Sequence, residues 1–231
     1  MTTETKQREK LTRERVVEAA LLVMDTEGLE AVSMRRVARE LGVEAMSLYN
    51  HVRDKDDLLE GICSRVMSEY RISDAGVTWL DTARSAAGEW RRVLKQHPNV
   101  ITLFAEHRGP LSDLGALEPM DHALGIIRQA GLSDRDATQV FNVFGGFIMG
   151  FVLMEVGQMF GAGTLDKKFP DPLEALQMIP GERLPNLVAV IPHMAECDPD
   201  EQFGLGLDLL LAGMQARFGP VEERAGNPTG P

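Results

Sequence analysis

Apolar positions recur at helical spacing along almost the whole chain. Val16, Ala19, Ala20, Val23 and Met24 share one face of a helix that Thr12 caps, that runs to about Glu27 and that Gly28 ends. After Ser33, another capping residue, Val37, Ala38 and Leu41 repeat the pattern. Gly42 follows, the residue type that most readily takes the left-handed conformation ending a helix. A second short helix is expected from Ala45 to His51, with Leu48 turned back onto the first. Two short helices crossing at a glycine turn form a helix-turn-helix, whose second helix enters the DNA major groove. A plain helical hairpin shares the same pattern of small residue, glycine and leucine, so the pattern alone leaves both readings open.

The remainder also reads as helix, and the predicted fold class is all-α. Asp54 caps a fourth helix with Asp56 and Asp57 at its positive end. Leu58, Leu59, Ile62, Val66 and Tyr70 form its stripe, and it is expected to be the main link out of the head. Thr78 with Asp81 opens a helix carrying Trp79, Ala83, Trp90 and Leu94, which stops before Pro98. A short helix covers Asn99 to Ala105, and His107 to Pro110 is a turn. Pro119 suits the first turn of a helix ending at Gly131. Ser133 with Asp136 caps the longest helix, expected to reach about Phe160. Residues 161–199 hold six of the 12 prolines and read as loop with one helix around Asn186 to Glu196. A final helix starts at Asp198 and runs through Arg217. The expected organisation is a flexible basic arm (1–10), a head with its linker helix (11–72), a helical body (77–218) and a disordered tail (219–231).

Charge and cysteine content refine this picture. The net charge of −11 divides into −2 over residues 1–72 and −9 over the rest. The acid is therefore concentrated away from the head, and Lys6, Arg8, Lys10, Arg13 and Arg15 gather where an arm can reach phosphates. The N-terminus is polar, with no apolar run of the secretory type. Residues 140–154 are apolar but include Gly145, Gly146 and Gly150, and the stretch is shorter than the ~20 residues of a spanning helix. Cys63 and Cys197 lie far apart and read as reduced thiols. These features set the expectation of a cytoplasmic protein with no membrane partner.

Residues 33–52, together with the helix before them, Tyr49, His51 and the Asp54-Lys55 pair, closely resemble the TetR family of transcriptional repressors. At lower specificity, residues 141–157 and 203–218 look like the two helices that pair with their symmetry mates in tetracycline-repressor-type C-terminal domains. The resemblance implies a homodimer bound to a palindromic double-stranded DNA operator and released by a small-molecule effector. It assigns DNA contacts to Ser33, Arg35, Ala45, Met46, Ser47, Tyr49, Asn50, His51 and Lys55. Arg35 matches a position that reaches a guanine edge, although a solvent-facing arginine on phosphate is the competing reading. Tyr49, His51 and Lys55 match phosphate contacts, and Ala45 and Met46 suit thymine methyls.

Gly146, Gly150, Gly206 and Gly213 would permit close helix contact in a dimer bundle; the bland alternative is a pair of internal core helices. Phe104, His107, Phe144, Phe147, Met154 and Met178 are candidates for an apolar effector pocket, each with ordinary core as its alternative. The namesake repressor's metal-ligand histidine has no counterpart, so tetracycline is disfavoured.

No histidine pair has metal-ligand spacing on one helix, and neither a phosphate loop nor a nucleophile elbow is present. The expectation is therefore no enzyme, no catalytic residue, no metal and no cofactor. Two rival readings remain: a DNA-binding regulator controlled by a protein partner, and a helical ligand-binding or enzymatic protein with a vestigial head.

Overall fold

The computed structural model describes residues 10–72, 78–106, 114–157, 183–194 and 198–219. Among these residues all regular structure is helical. The expected arm, the boundary at 73–76, the turn at 107–110 and the tail beyond 219 fall outside them, as do His107, Phe160, Met178 and Cys197. The chain divides into two compact units, Met1–Asp74 with Gly88–Gly125, and Ala75–Ala87 with Ile126–Pro231.

The first unit holds α1 (Arg13–Glu27), a 3-10 turn (Leu29–Ala31), α2 (Met34–Leu41), α3 (Ala45–Leu48), α4 (Lys55–Met67) and α6 (Asn99–Glu106). Each early helix begins as its capping residue requires. The Thr12, Ser33 and Asp54 side chains accept backbone N–H bonds from Arg15, Arg36 and Asp57, relieving donors that a helix start leaves unpaired. Gly42 ends α2 at φ +66°, where a Cβ would be strained.

Val16, Ala20, Val23, Met24, Val37, Leu48, Leu58, Ile62 and Val66 are fully buried and form the core. Burying a side chain of the larger kind stabilises by roughly 1.5–3 kcal/mol. Gly61 lets α4 close onto α1, since a Cβ there would lie 2.7 Å from Val17 Cγ2.

Several boundaries differ from the sequence expectation. α3 is only Ala45–Leu48, continued to His51 by turns, because its first turn is all that Leu48 and the buried Val52 need to anchor. α4 ends at Met67, so Tyr70 lies beyond it. Its ring lies tilted against Trp90, with centroids 5.3 Å apart, and Trp90 meets Phe104 at 6.1 Å. α4 shares the tie between the head and α6 with other elements. α6 packs on α1, on the 3-10 turn and on α4, and Asn99 donates to the Met24 carbonyl at 2.8 Å.

Both units draw on α5 (Trp79–Gln96) and α7 (Leu114–Gln129). The Thr78–Asp81 pair opens α5 through reciprocal hydrogen bonds. α7 starts earlier than expected, which puts Pro119 well inside it rather than in its first turn.

In the second unit, α8 (Asp134–Glu155) packs on α10 (Pro199–Phe218), and α9 spans Pro185–Met194. α8 stops at Glu155, short of Phe160, with Gly157 following at φ +74°. The α8–α10 contact is built from Phe147, Phe151 and Phe203, with ring centroids 5.3–5.9 Å apart. Gly206 belongs to this contact. A Cβ there would meet the Phe147 ring at 2.6 Å, so this glycine serves close packing within one chain rather than standing clear for a partner. Gly146, Gly150 and Gly213 face open space, and Val143, Met154, Leu205 and Leu209 are more than half exposed.

Candidate nucleic-acid interface

The helix-turn-helix presents a face rather than a pocket. Leu48 and Val52 are buried beneath α3, which turns Met46, Tyr49 and Asn50 outward. Met46 is 76% exposed. Ala45 and Ser47 are half-buried beside it. The Ser47 hydroxyl donates to the Glu44 carbonyl at 2.6 Å. Its proton is thus committed, and its remaining capacity is to accept. The exposed Ser33 is likewise engaged as the α2 cap.

Two adjacent arginines at the start of α2 have different fates. Arg36 is tied to Glu27 at 2.5 Å and to Glu40 at 2.9 Å, and those hydrogen bonds raise its pKa. Arg35 is exposed and has no ion-pair partner among the described residues. Of the two, Arg35 is the guanidinium presented outward. Lys55 is exposed at the first position of α4, and Arg53, next to the end of the α3 region, is 79% exposed along its side chain.

Behind this face sits a buried carboxylate that the sequence reading had treated only as favourable to the helix dipole. Asp57 accepts two hydrogen bonds from Arg13, at 2.9 and 3.0 Å, and one from the Arg53 backbone N–H at 2.7 Å. Arg13 also donates to the carbonyl of His51 at 3.2 Å. The Arg13 hydrogen bonds are the largest cause holding the Asp57 carboxyl down at about 2; burial opposes them, and the Arg53 N–H adds to them. The signal was present as a reciprocal cap, Asp54 to the Asp57 N–H and Asp57 back to Arg53.

A second cluster ties the head to the α5–α6 corner. His97 Nδ1 lies 2.7 Å from Asp25 Oδ2 and its Nε2 lies 3.2 Å from Glu69 Oε2. A carboxylate only accepts, so this geometry favours a ring that donates from both nitrogens, the protonated form. The Asp25 hydrogen bond raises its pKa most, burial pulls the other way, and the charges of Asp25 and Glu69 add to the rise. Arg65 holds Glu69 at 2.5 Å and also pairs with Glu18. Sequence reading missed His97 because its partners are far from it in the chain.

Of the described effector candidates, Phe104 packs on Trp90 in the first unit, and Phe144, Phe147 and Met154 lie on α8 in the second. Phe147 is stacked on Phe203, which sequence reading had not singled out, and Met154 is 57% exposed. Burial pushes the Cys63 thiol up to about 12, so it is chemically quiet. Among the described residues no group of three or more His, Cys, Asp or Glu side chains could hold a metal ion.

Comparison with known proteins agrees with this architecture at both ends of the chain. Residues 16–62 match the profile of the bacterial regulatory proteins of the tetR family. Residues 73–218 match the tetracyclin repressor-like C-terminal domain. The HTH-type transcriptional repressor DrrR1 of Streptomyces coeruleorubidus is 30% identical over 214 residues, covering 89% of this chain and 77% of that protein. The class D tetracycline repressor protein of Escherichia coli is 27% identical, covering 90% and 91% respectively.

Among solved structures, Streptomyces coelicolor ActR in complex with actinorhodin superposes with a TM-score of 0.74 at 28% identity. That match covers 91% of this chain and 99% of ActR. With 22 residues and a mean hydropathy of 1.6, α8 is long and apolar enough to cross a membrane by length and composition alone. It lies inside the matched C-terminal domain and packs on α10. A helix-turn-helix head and a repressor-type body on one all-α chain make this protein a transcriptional regulator of the TetR family.

Proposed function

We propose that the protein is a homodimeric, ligand-responsive repressor whose two heads each read one half of a palindromic operator. The observation that carries this is the outward face of α3, with Met46, Tyr49 and Asn50 exposed over buried anchors, beside Arg35 and Lys55. In this reading Arg35 contacts a guanine edge, Tyr49, His51 and Lys55 contact phosphates, and Ala45 and Met46 lie against thymine methyls. Ser33, Ser47 and Asn50 complete the surface. Residues 11–72 are the DNA-binding domain behind a basic arm at 1–10, residues 77–218 the ligand-binding and dimerisation domain, and residues 219–231 a tail. Selecting randomised duplexes with the purified protein tests the first half of the proposal: an inverted repeat should be enriched, and no enrichment refutes it.

The dimer forms through α8 and α10, where Gly146, Gly150 and Gly213 leave open space and Val143, Leu205 and Leu209 are exposed. The effector is small and largely apolar, and Phe104, His107, Phe144, Phe147, Met154 and Met178 are its candidate contacts. Support comes from ActR, a similar protein crystallised with actinorhodin. Such a ligand releases the operator only by preferring an arrangement that DNA disfavours. Linkage then requires the operator to lower ligand affinity by the same factor. Actinorhodin as the first probe, titrated with and without the selected duplex, tests this. Equal affinities in the two titrations contradict release by that ligand. A DNA-binding regulator carries out no catalysis of its own and works in the cytoplasm, where the DNA is.

A further inference from the structure

Arg13 stands among the basic residues near the N-terminus, where charge alone would assign it to the DNA backbone. The structure gives it a different task. Its guanidinium lies flat against Asp57, with Nη2 at 2.9 Å from one carboxylate oxygen and Nη1 at 3.0 Å from the other. Nη1 reaches the His51 carbonyl at 3.2 Å as well. Asp57 is 7% exposed and is further bound by the Arg53 N–H. One side chain on α1 therefore touches the last turn of the recognition segment, through His51, and the first turn of α4, through Asp57. Every proposed phosphate contact on this side, His51, Lys55 and Tyr49, sits within a few residues of those two anchor points.

We infer that the Arg13–Asp57 pair is the positioning element for specific operator recognition. Asp57 withdraws Arg13 from phosphate binding and uses it to fix the end of the recognition segment against the start of α4. This rests on the DNA-binding reading above. A bidentate pair of arginine and carboxylate has two parallel hydrogen bonds, so it sets an angle as well as a distance. A carbonyl held by the same guanidinium fixes a third point. Base contacts tolerate little displacement, whereas backbone attraction is long-ranged and tolerant. Loss of the pair therefore separates the two kinds of affinity.

The test compares wild type, Asp57→Asn and Arg13→Gln on a duplex selected against the wild-type protein and on a scrambled duplex of the same length, over a salt series. Asp57→Asn removes the buried carboxylate from beside Arg13 and raises the charge of the head by one. Its affinity for the selected duplex should fall by roughly tenfold or more, the loss of charge-assisted hydrogen bonds. Its affinity for the scrambled duplex should hold or rise, and its salt slope should steepen by about 1. Arg13→Gln should lose affinity for the selected duplex alone, with an unchanged salt slope. A merely structural defect lowers both affinities together in proportion to the unfolded fraction, which circular dichroism melts of each variant measure. Arg13 is less buried than Asp57, so Arg13→Gln keeps the test open where Asp57→Asn fails to fold. A flattened slope and equal losses on both duplexes in Arg13→Gln would make Arg13 an ordinary phosphate contact and overturn the inference. So would an unchanged ratio of specific to scrambled affinity in either folded variant. A wild-type protein that does not distinguish the duplexes overturns the DNA-binding reading itself.

Discussion

At the scale of single residues, charge pairing decides which side chains are available. Arg36 is held by Glu27 and Glu40, whereas its neighbour Arg35 is presented to solvent. Arg35→Ala should weaken binding to the selected operator by roughly 1–3 kcal/mol and relax preference at one base pair. Lys55→Ala should weaken all sequences alike and lower the salt slope. Matching profiles for the two variants across a panel of operator variants would contradict the division into base and phosphate contacts.

His97 gives a pH signature with a definite sign. Its folded pKa is raised above the ordinary histidine value, chiefly by the Asp25 hydrogen bond. The stability it contributes is therefore complete below about pH 6.5 and fades as pH rises through the raised value. Urea midpoints of wild type should fall across that window relative to those of His97→Asn. Parallel pH profiles for the two proteins would show that the imidazolium does not hold the corner. The caps at Thr12, Ser33 and Asp54 were legible in the sequence because a cap and its helix are local. The Asp57 and His97 contacts were not, because Arg13 is 44 residues from Asp57 and Asp25 is 72 from His97.

At the scale of helices, local pattern gave the right elements and misjudged where they end. α8 was expected to reach about Phe160, but Gly157 takes a positive φ and the helix stops at Glu155. Tyr70 carries the right spacing for the α4 stripe, yet it lies beyond the helix end, its ring tilted against Trp90. The glycines of α8 and α10 divide in the same way. From sequence they look alike, but Gly206 faces Phe147 within the chain while Gly150 faces open space.

Their substitutions should therefore diverge. Gly206→Leu should destabilise the fold by roughly 1–3 kcal/mol through overpacking. Gly150→Leu should leave the fold largely intact and weaken the dimer. Thermal melts and sedimentation equilibrium separate the two effects. A Gly206→Leu protein that melts like wild type would remove Gly206 from the α8–α10 contact.

At the scale of the whole molecule, the proposed function asks the exposed faces of α8 and α10 to pair two copies of the chain. Val143, Met154, Leu205 and Leu209 are each more than half exposed on α8 and α10, an apolar face that a second copy would cover in the proposed dimer. In the proposed dimer each head would meet one half-site, so the contacts double only on DNA with matching symmetry. The most direct measurement is the stoichiometry and symmetry of the complex on the selected duplex, by sedimentation of the protein–DNA complex together with hydroxyl-radical footprinting. The account predicts two protomers per duplex and footprints related by a two-fold axis, with half-site centres about one helical turn apart or a multiple of it. One protomer on an asymmetric footprint would contradict it.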